Sequence, residues 1–446
     1  MSKVLIVPGV SVSVVKEVLP QQLAPSGVLG LIGFTGGAAG TQRAASWARV
    51  REVAGDVVAL SLPEARQAID NGVSELVIVS LPNDGNTAAA SVDSSDPQGQ
   101  AIKLKARAGG IWANGLDVVV TARSQTAVDI AVKRRGSDAA IEQVRNVGAA
   151  GLSAALGGLT TVALDGAAAT LPKAGTYSLS GGKDASVQDY QNALDALLEE
   201  SDVDLVLAAV QDLSDGNKAN VVSIYGAVIS HCNNMSGDAK GRLGLGQVGA
   251  GWSLATAKEV VSNLVSDRFV LVAPHGVVGA VAGLVGNLPY FQSPTFKALS
   301  GTGPLAKALK TEEQTELLKS WIVPVVTERG RGTIVVRGLT TDGDQISVRR
   351  VADRAVRTMK MIGDLFIGRL NNADGRGALK QKLIEALLQM QREGAIVPST
   401  DGKDPAFKVD VYSSQEDFAK GIVRVDMAVR PVRAIDYIYA TVLVQV

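Results

Sequence analysis

The segment GLGQVG, residues 244–249, places three glycines in the spacing G-x-G-x-x-G. In dinucleotide-binding proteins this spacing lets the backbone approach a pyrophosphate at the N-terminus of a helix, and a helix is predicted to begin at Leu254. Such a site also requires a buried strand just before the glycines, whereas the polar segment SGDAKGRL precedes them here. We therefore interpret GLGQVG as a flexible loop and keep a nucleotide-binding α/β enzyme as an alternative function.

The two histidines and the single cysteine, His231, His275 and Cys232, do not form a zinc or nucleophile motif. Zinc sites and activated cysteines need further ligands or an orienting acid, and the sequence contains no C-x-x-C, H-x-x-x-H or H-E-x-x-H spacing. The glycine-containing segments that end at Lys183 and Lys307 also lack the spacing of a phosphate-binding loop. The sequence therefore predicts no catalytic residue, no metal site and no cofactor.

Basic residues at helical spacing form the clearest charge pattern. Arg350, Arg354 and Arg357 recur every three or four residues on a helix predicted over Val348–Leu370, so they share one face. One interpretation is a solvated face with local acidic partners, which is the usual role of such runs. The other is a surface that meets an acidic protein, where complementary charge fixes the orientation of the contact.

Composition argues against several classes of protein. The 446 residues carry 44 basic and 44 acidic side chains, a balance that does not indicate nucleic acid or a membrane surface as a partner. With 46% apolar and only 20% charged residues, much of the exterior is expected to be covered by subunit contacts. The single cysteine cannot form an intramolecular disulfide. No signal peptide or membrane-spanning run is evident, so a soluble protein is expected.

Apolar strands that alternate with amphipathic helices predict an α/β core. The predicted buried strands are Val28–Phe34, Glu75–Leu81, Val203–Val210 and Arg268–Ala273. From about residue 83 to 183 the chain becomes rich in small and polar residues with half-buried strand patterns, which indicates an inserted, mostly β domain. We predict a discontinuous α/β core over residues 25–90 and 186–432, with the inserted domain over residues 91–185.

Both ends of the chain have strand patterns, and we treat residues 1–24 and 433–446 as arms. Near the N-terminus, apolar residues alternate with serines at Val10, Val12 and Val14. Near the C-terminus, a strand over residues 422–429 is followed, after Pro431, by a second strand over residues 435–446. The side chains expected on one face of these two strands are Val423, Val425, Met427 and Val429, then Ile438, Ala440, Val442, Val444 and Val446. Apolar strands at a chain end need a partner strand, in their own sheet or in a neighbouring subunit.

Several segments in a fixed order add a family resemblance. They include PGV at residues 8–10, AGGIWANGLDV at 108–118, IVPVVTERGRGTIVVRGLTT at 322–341 followed by ISVRR at 346–350, and a helix ending in EGAI at 393–396. Together they resemble the tail sheath proteins of contractile phage tails and related contractile injection systems. The second segment is similar to the family pattern SPGxWGNxLxV, although Gly109 replaces its proline and Ala113 one of its glycines.

The resemblance implies a structural subunit, not an enzyme. Sheath subunits form six-membered rings stacked helically around an inner tube, and each terminal arm adds a strand to the sheet of a neighbour. The N-terminal arm would act through Val10, Val12, Val14 and Val15. The C-terminal arm would act through Ile438, Ala440, Val442, Leu443 and Val444. The receiving strand would be the one that carries Val423, Val425, Met427 and Val429.

The same resemblance implies the partners and the location. The expected partners are further copies of the chain, the inner tail tube protein, and baseplate and tail terminator proteins, with no nucleic acid and no membrane. The expected location is the virion tail, assembled in the host cytoplasm. Contraction would draw its energy from new subunit contacts in a metastable lattice, not from nucleotide hydrolysis.

The resemblance also implies which surfaces face outward and inward. The inserted domain is expected on the outside, and Arg350, Arg354, Arg357 and Lys380 are expected to face the tube. Lys380 lies on a second helix, predicted over Gly377–Arg392. A non-contractile self-assembling shell protein, which would use similar arms, stays open as a further alternative.

Overall fold

The apolar segments of the sequence build the central sheet of the protein. The computed structural model describes residues 27–96, 100–166 and 170–439. The first elements are β1 (Val28–Gly33), β2 (Thr41–Ala44), α1 (Trp47–Ala54), α2 (Val58–Ser61), α3 (Pro63–Asp70) and β3 (Glu75–Ser80). Next come β4 (Ala89–Val92), β5 (Ile102–Ala106), β6 (Leu116–Ala122), β7 (Val128–Arg134), β8 (Ala140–Val147), α4 (Leu152–Gly157), β9 (Val162–Leu164) and β10 (Gly175–Ser178).

The remaining elements return to the central sheet and then leave it. They are α5 (Val187–Ala196), β11 (Leu205–Ala208), α6 (Lys218–Gly237), β12 (Leu243–Gln247), α7 (Leu254–Ser262), β13 (Phe269–Ala273), α8 (Val278–Asn287), α9 (Thr311–Lys319), β14 (Val323–Glu328) and β15 (Gly332–Val335). The C-terminal elements are α10 (Ile346–Asp364), α11 (Ala373–Arg392), β16 (Phe407–Tyr412), α12 (Gln415–Ala419) and β17 (Arg424–Val429).

Eight strands form the central sheet in the order β15-β14-β13-β12-β11-β1-β3-β2. The six inner strands are parallel, and β15 and β2 pair antiparallel at the two edges. Parallel strands are covered on both faces and therefore read as continuous apolar runs. This confirms the predicted α/β class, because the runs that predicted buried strands are β1, β3, β11 and β13.

Helices cover both faces of the central sheet. On one face α5, α6 and α7 bury residues such as Tyr190 and Tyr225 against the strands. On the other face α1, α3 and α8 bury residues such as Val50 and Val281. The resulting three layers, helix, sheet and helix, account for the predicted alternation of strands and helices.

The strands between β3 and α5 form two antiparallel sheets that are separate from the central sheet. One has the order β4-β5-β9 and the other β10-β6-β7-β8. They share one apolar core that includes Val118, Ile130 and Leu152. The outward orientation of this inserted domain stays a prediction.

The C-terminal elements form a smaller unit in which α10 and α11 pack against a two-stranded sheet. β16 and β17 pair antiparallel, with Val409 opposite Met427. This unit is fixed to the central sheet by a largely buried ion pair of 2.9 Å between Arg268, next to β13, and Asp353 of α10. The strand predicted over residues 422–429 is β17, and its partner within the subunit is β16.

Candidate functional site

The strand β17 has one face packed on the helices and one free edge. The side chains of Val425, Met427 and Val429 are half-buried and pack on the cores formed with α10 and α11. The residues between them, such as Asp426, are exposed. This alternation is the period of a strand with one buried face, so the sequence pattern correctly gives which side chains point inward.

The backbone of β17 offers unpaired hydrogen-bonding groups at that free edge. The Arg430 N–H donates to the Ala406 carbonyl at 2.9 Å, which fixes the direction of the alternating N–H groups along β17. By this alternation the N–H and C=O groups of Val425, Met427 and Val429 point away from β16. Within residues 27–96, 100–166 and 170–439, no group bonds to them. The backbone groups of these three residues could therefore pair with an additional strand.

The opposite edge of the same sheet, along β16, is protected by charge. The Val411 N–H is bonded at 3.0 Å by the carboxylate of its own neighbour, Asp410. Lys380 of α11 forms an ion pair of 3.1 Å with the same carboxylate. Charged side chains on an edge strand discourage pairing with another chain, so β17 provides the edge that is suited to receive a strand.

The segment after β17 is held against the core by polar contacts. Asp436, whose side chain is only 7% exposed, forms an ion pair of 2.9 Å with Arg337. The Gln345 side chain accepts from the Ala434 N–H at 2.8 Å and donates to the Asp436 carboxylate at 2.7 Å. Arg433 adds an ion pair of 2.7 Å with Asp344. We call residues 433–436 the C-terminal anchor; sequence reasoning missed it because its partners lie about a hundred residues earlier.

Beyond this anchor the chain exposes apolar side chains. Ile438 is 83% and Tyr439 95% exposed, and Ile435 within the anchor is 79% exposed. Large apolar side chains exposed so close together along the chain are typical of a segment that contacts another protein. Val10, Val12, Val14 and Val15 of the predicted N-terminal arm, and Ala440, Val442, Leu443 and Val444 of the C-terminal arm, lie outside the described residues.

The arginines of α10 do not form the solvated face that helical spacing alone suggests. Arg350 is 8% exposed and donates to the Leu288 carbonyl at 3.1 Å. Arg357 forms an ion pair of 2.8 Å with Asp204, before β11. The interpretation of a solvated face is wrong for these two, because the helix turns them toward the central sheet. Contact with a tube stays a prediction for Arg350, Arg354, Arg357 and Lys380.

Comparison with known families decides the identity of the chain. The model of the phage tail sheath protein central domain matches residues 183–341, and that of the phage tail sheath C-terminal domain matches residues 340–445. Together these two matches cover more than half of the 446 residues. The chain belongs to the phage tail sheath protein family.

Solved sheath structures share the fold of this sheath protein. The helical sheath of the anti-feeding prophage in its contracted state is 15% identical, with a TM-score of 0.57 over 99% of each chain. A chain in the baseplate structure of the same prophage is 14% identical, with a TM-score of 0.58 over 99% of this chain and 100% of that one. The sheath tail protein of Listeria innocua is 17% identical, with a TM-score of 0.54 over 93% and 94%. No curated protein matches the sequence.

In this sheath protein the glycines of GLGQVG serve packing. Gly244 and Gly246 lie inside β12, a fully buried strand at the centre of the sheet, so the prediction of a flexible loop is wrong. A Cβ atom on Gly246 would lie 2.8 Å from the rings of both Phe269 and Tyr225. Glycine in a strand interior marks such close approach. The three glycines of the motif are all buried, so the structure does not support a nucleotide-binding loop at this segment.

Replacement of Gly246 by alanine tests this packing role. We expect the added methyl group to displace Phe269 or Tyr225 and to lower the free energy of unfolding by about 1–3 kcal/mol, as overpacked cores do. Urea unfolding measures the change. Gly251→Ala is the matched control, because no atom lies within 4 Å of a Cβ there. Equal unfolding midpoints for the two variants would contradict the packing role.

The histidines and the cysteine have structural surroundings. The imidazole Nε2 of His231 lies 2.6 Å from the Arg242 guanidinium, which donates to it, and burial lowers the His231 pKa to about 4. Burial raises the pKa of the Cys232 thiol to about 12. Among the residues the structure describes, no group of three or more His, Cys, Asp or Glu is placed to hold a metal ion. None of the helices in the described part of the chain is long and apolar enough to cross a membrane.

Proposed function

We propose that this protein is the structural subunit of a contractile tail sheath, which polymerises as stacked six-membered rings around an inner tube. The observation that carries the proposal is a complementary pair of features: β17 has an unpaired edge, and the segment after the C-terminal anchor exposes apolar residues. A neighbour's segment laid along β17 would satisfy both. This is β-augmentation, in which backbone hydrogen bonds supply affinity and alternate side chains supply specificity.

The reach of the C-terminal segment supports donation to another subunit. Ten residues follow Asp436, and an extended strand of that length spans about 33 Å. Because the anchor ties Asp436 to Arg337, the segment begins from a fixed point on its own core. An arm that is fixed at its base and pairs with a neighbour can hold two subunits together while their cores rotate.

Contraction then follows from the arms and from the core surfaces. The extended lattice is metastable, a baseplate trigger releases it, and the cores pack more tightly while the arm connections persist. The N-terminal arm, with Val10, Val12, Val14 and Val15, acts as a second link. The inserted domain faces outward, and the inner tube, baseplate and terminator proteins are the further partners. The assembled particle is a virion tail or an injection device built in the host cytoplasm.

Negative-stain electron microscopy of the purified full-length protein tests the proposal. We expect hollow, ridged tubes, because each subunit has both an open β17 edge and a C-terminal segment that could pair with such an edge. Flat sheets or closed shells would instead support a non-contractile shell protein. A protein that stays monomeric or dimeric at all concentrations tested would overturn the proposed assembly.

A further inference from the structure

A cavity of about 390 Å³ lies between α10 and the segments that lead into β11 and β12. Arg350, Arg354 and Arg357 line its wall on α10, and Asp204 and Gly241 line the opposite wall. The volume lies within the range of small-molecule sites, near its lower end. Because the cavity separates the central sheet from the C-terminal unit, whatever fills it joins the two.

The carboxylates that line this cavity are already neutralised by cations of the chain. The ion pairs are Asp202 with Arg43, Asp204 with Arg357, Asp353 with Arg268 and Arg349, and Asp364 with Lys360. Asp202 and Asp204 lie on the wall opposite α10, whereas Asp353 and Asp364 lie on α10 itself. Each of the four is bonded to a cation other than Arg350 or Arg354. Arg350 and Arg354 therefore form no direct ion pair among the described residues, and they interact with Asp204 only through space.

Arg350 is the more strongly buried of these two cations. One of its terminal nitrogens donates to the Leu288 carbonyl, and the other, Nη2, has no hydrogen-bond partner among the described residues. Burial lowers the pKa of its guanidinium to about 10. A buried cation that is not hydrogen-bonded to a counter-charge is unfavourable, and an anion bonded to it removes much of that cost.

Arg354 is the second cation, and it lies one helical turn after Arg350. Its guanidinium is 5.5 Å from the centre of the Tyr290 ring, and the described residues place no carboxylate in an ion pair with it. Residues at i and i+4 share one face of a helix. The two guanidinium groups therefore line the same cavity from the same side.

We propose that this cavity binds a small oxyanion of the phosphate class between Arg350 and Arg354. Guanidinium groups bind such anions through paired N–H donors in a planar fork, which gives both charge and geometry. The bound anion bridges α10 to the neighbouring strands and stabilises the folded subunit by preferential binding to the native state. This site goes beyond the proposed assembly function and does not depend on it.

Equilibrium dialysis of the full-length protein against radiolabelled inorganic phosphate tests the site, in buffer whose ionic strength is held constant with chloride. We expect saturable binding of one phosphate per chain and a rise in unfolding temperature with phosphate concentration. The variant Arg350→Met/Arg354→Gln should bind at least about tenfold more weakly, since it removes both cationic ligands. Arg354→Gln alone keeps the buried Arg350 in place, so it reports on the site even if the double variant fails to fold.

The control is Arg369→Gln, an exposed arginine beyond the end of α10 that does not line the cavity. It should bind phosphate like the wild type. The proposal is overturned if the wild type shows no saturable binding up to about 10 mM phosphate. A site that stabilises the folded subunit would be occupied at that concentration. It is also overturned if Arg354→Gln binds as the wild type does, or if Arg369→Gln weakens binding equally. Dialysis measures phosphate binding whether or not tubes form. A failure of the phosphate proposal is therefore distinguishable from a failure of the proposed assembly.

Discussion

Deletion of residues 438–446 is expected to abolish tube formation and to leave the subunit folded. Ile438 and Tyr439 are 83% and 95% exposed, so their removal takes few contacts from the fold. The anchor ends at Asp436 and stays intact. We therefore expect the unfolding temperature to change by less than about 2 °C, the shift that a fraction of a kcal/mol produces in a chain of this size.

Assembly should respond far more strongly than folding. A donated strand contributes several backbone hydrogen bonds of about 1 kcal/mol each, and each buried Val or Ile side chain adds about 1.5–3 kcal/mol. A loss of only about 4 kcal/mol out of this sum is a factor of roughly a thousand in the concentration needed for assembly. Sedimentation and negative-stain microscopy over a concentration series measure that change.

The matched control for this truncation is a full-length variant with Ile438→Val and Val442→Ile. It keeps an arm of apolar, β-branched residues that suits a strand, and it should form tubes at the concentration of the wild type. If the truncated protein polymerises as readily as this control, the C-terminal arm does not join the subunits and the proposed mechanism is wrong.

The central strands could be predicted from the sequence because both of their faces are buried. The segment predicted as Glu75–Leu81 is β3, Glu75–Ser80, because a strand between two helical layers must be apolar throughout. The two-residue period likewise predicted β17 and its inward side chains. The same signal is present in FKVDVY, residues 407–412, and would have identified β16, the actual partner of β17.

Contacts between distant parts of the chain were beyond sequence reasoning. Helical spacing places Arg350 and Arg357 on one face, but it does not show that Asp204 lies opposite that face. The helix α8 was missed because its glycines have low helix propensity. Tertiary packing overrides that propensity: a Cβ on Gly279 would lie 2.6 Å from the Glu64 backbone, so glycine is what lets α8 lie against α3.

Part of the candidate site could likewise be predicted from the sequence, and part could not. The apolar end of the chain was evident from composition, since a charge-free, β-branched terminus needs a partner. The anchor was not evident, because Arg337, Asp344 and Gln345 read as ordinary loop and turn residues until the fold brings Asp436 beside them. The open edge of β17 was also hidden, since it depends on which neighbour each strand has.

Val425→Pro is expected to block assembly through the receiving edge. The Val425 N–H points away from β16, so proline removes a donor that the fold itself does not use. Proline is tolerated in edge strands whose N–H faces solvent, and the exposed Arg424 before it already has the extended conformation that proline favours. We therefore expect a folded subunit whose edge no longer accepts a strand.

The variant Val425→Ala distinguishes two possible causes of an assembly defect, loss of the backbone edge and loss of side-chain packing. Alanine removes more of the apolar side chain than proline does, yet it keeps the N–H at the free edge. Val425→Pro loses one interface hydrogen bond, and its proline ring clashes with an added strand. It should therefore need at least about a tenfold higher concentration to form tubes, equal to about 1.4 kcal/mol. Val425→Ala should assemble near the wild-type concentration. Light scattering during assembly, with thermal unfolding of each variant, gives both quantities. If alanine impairs assembly as much as proline, side-chain packing and not the backbone edge controls the contact, and β17 is not the receiving strand.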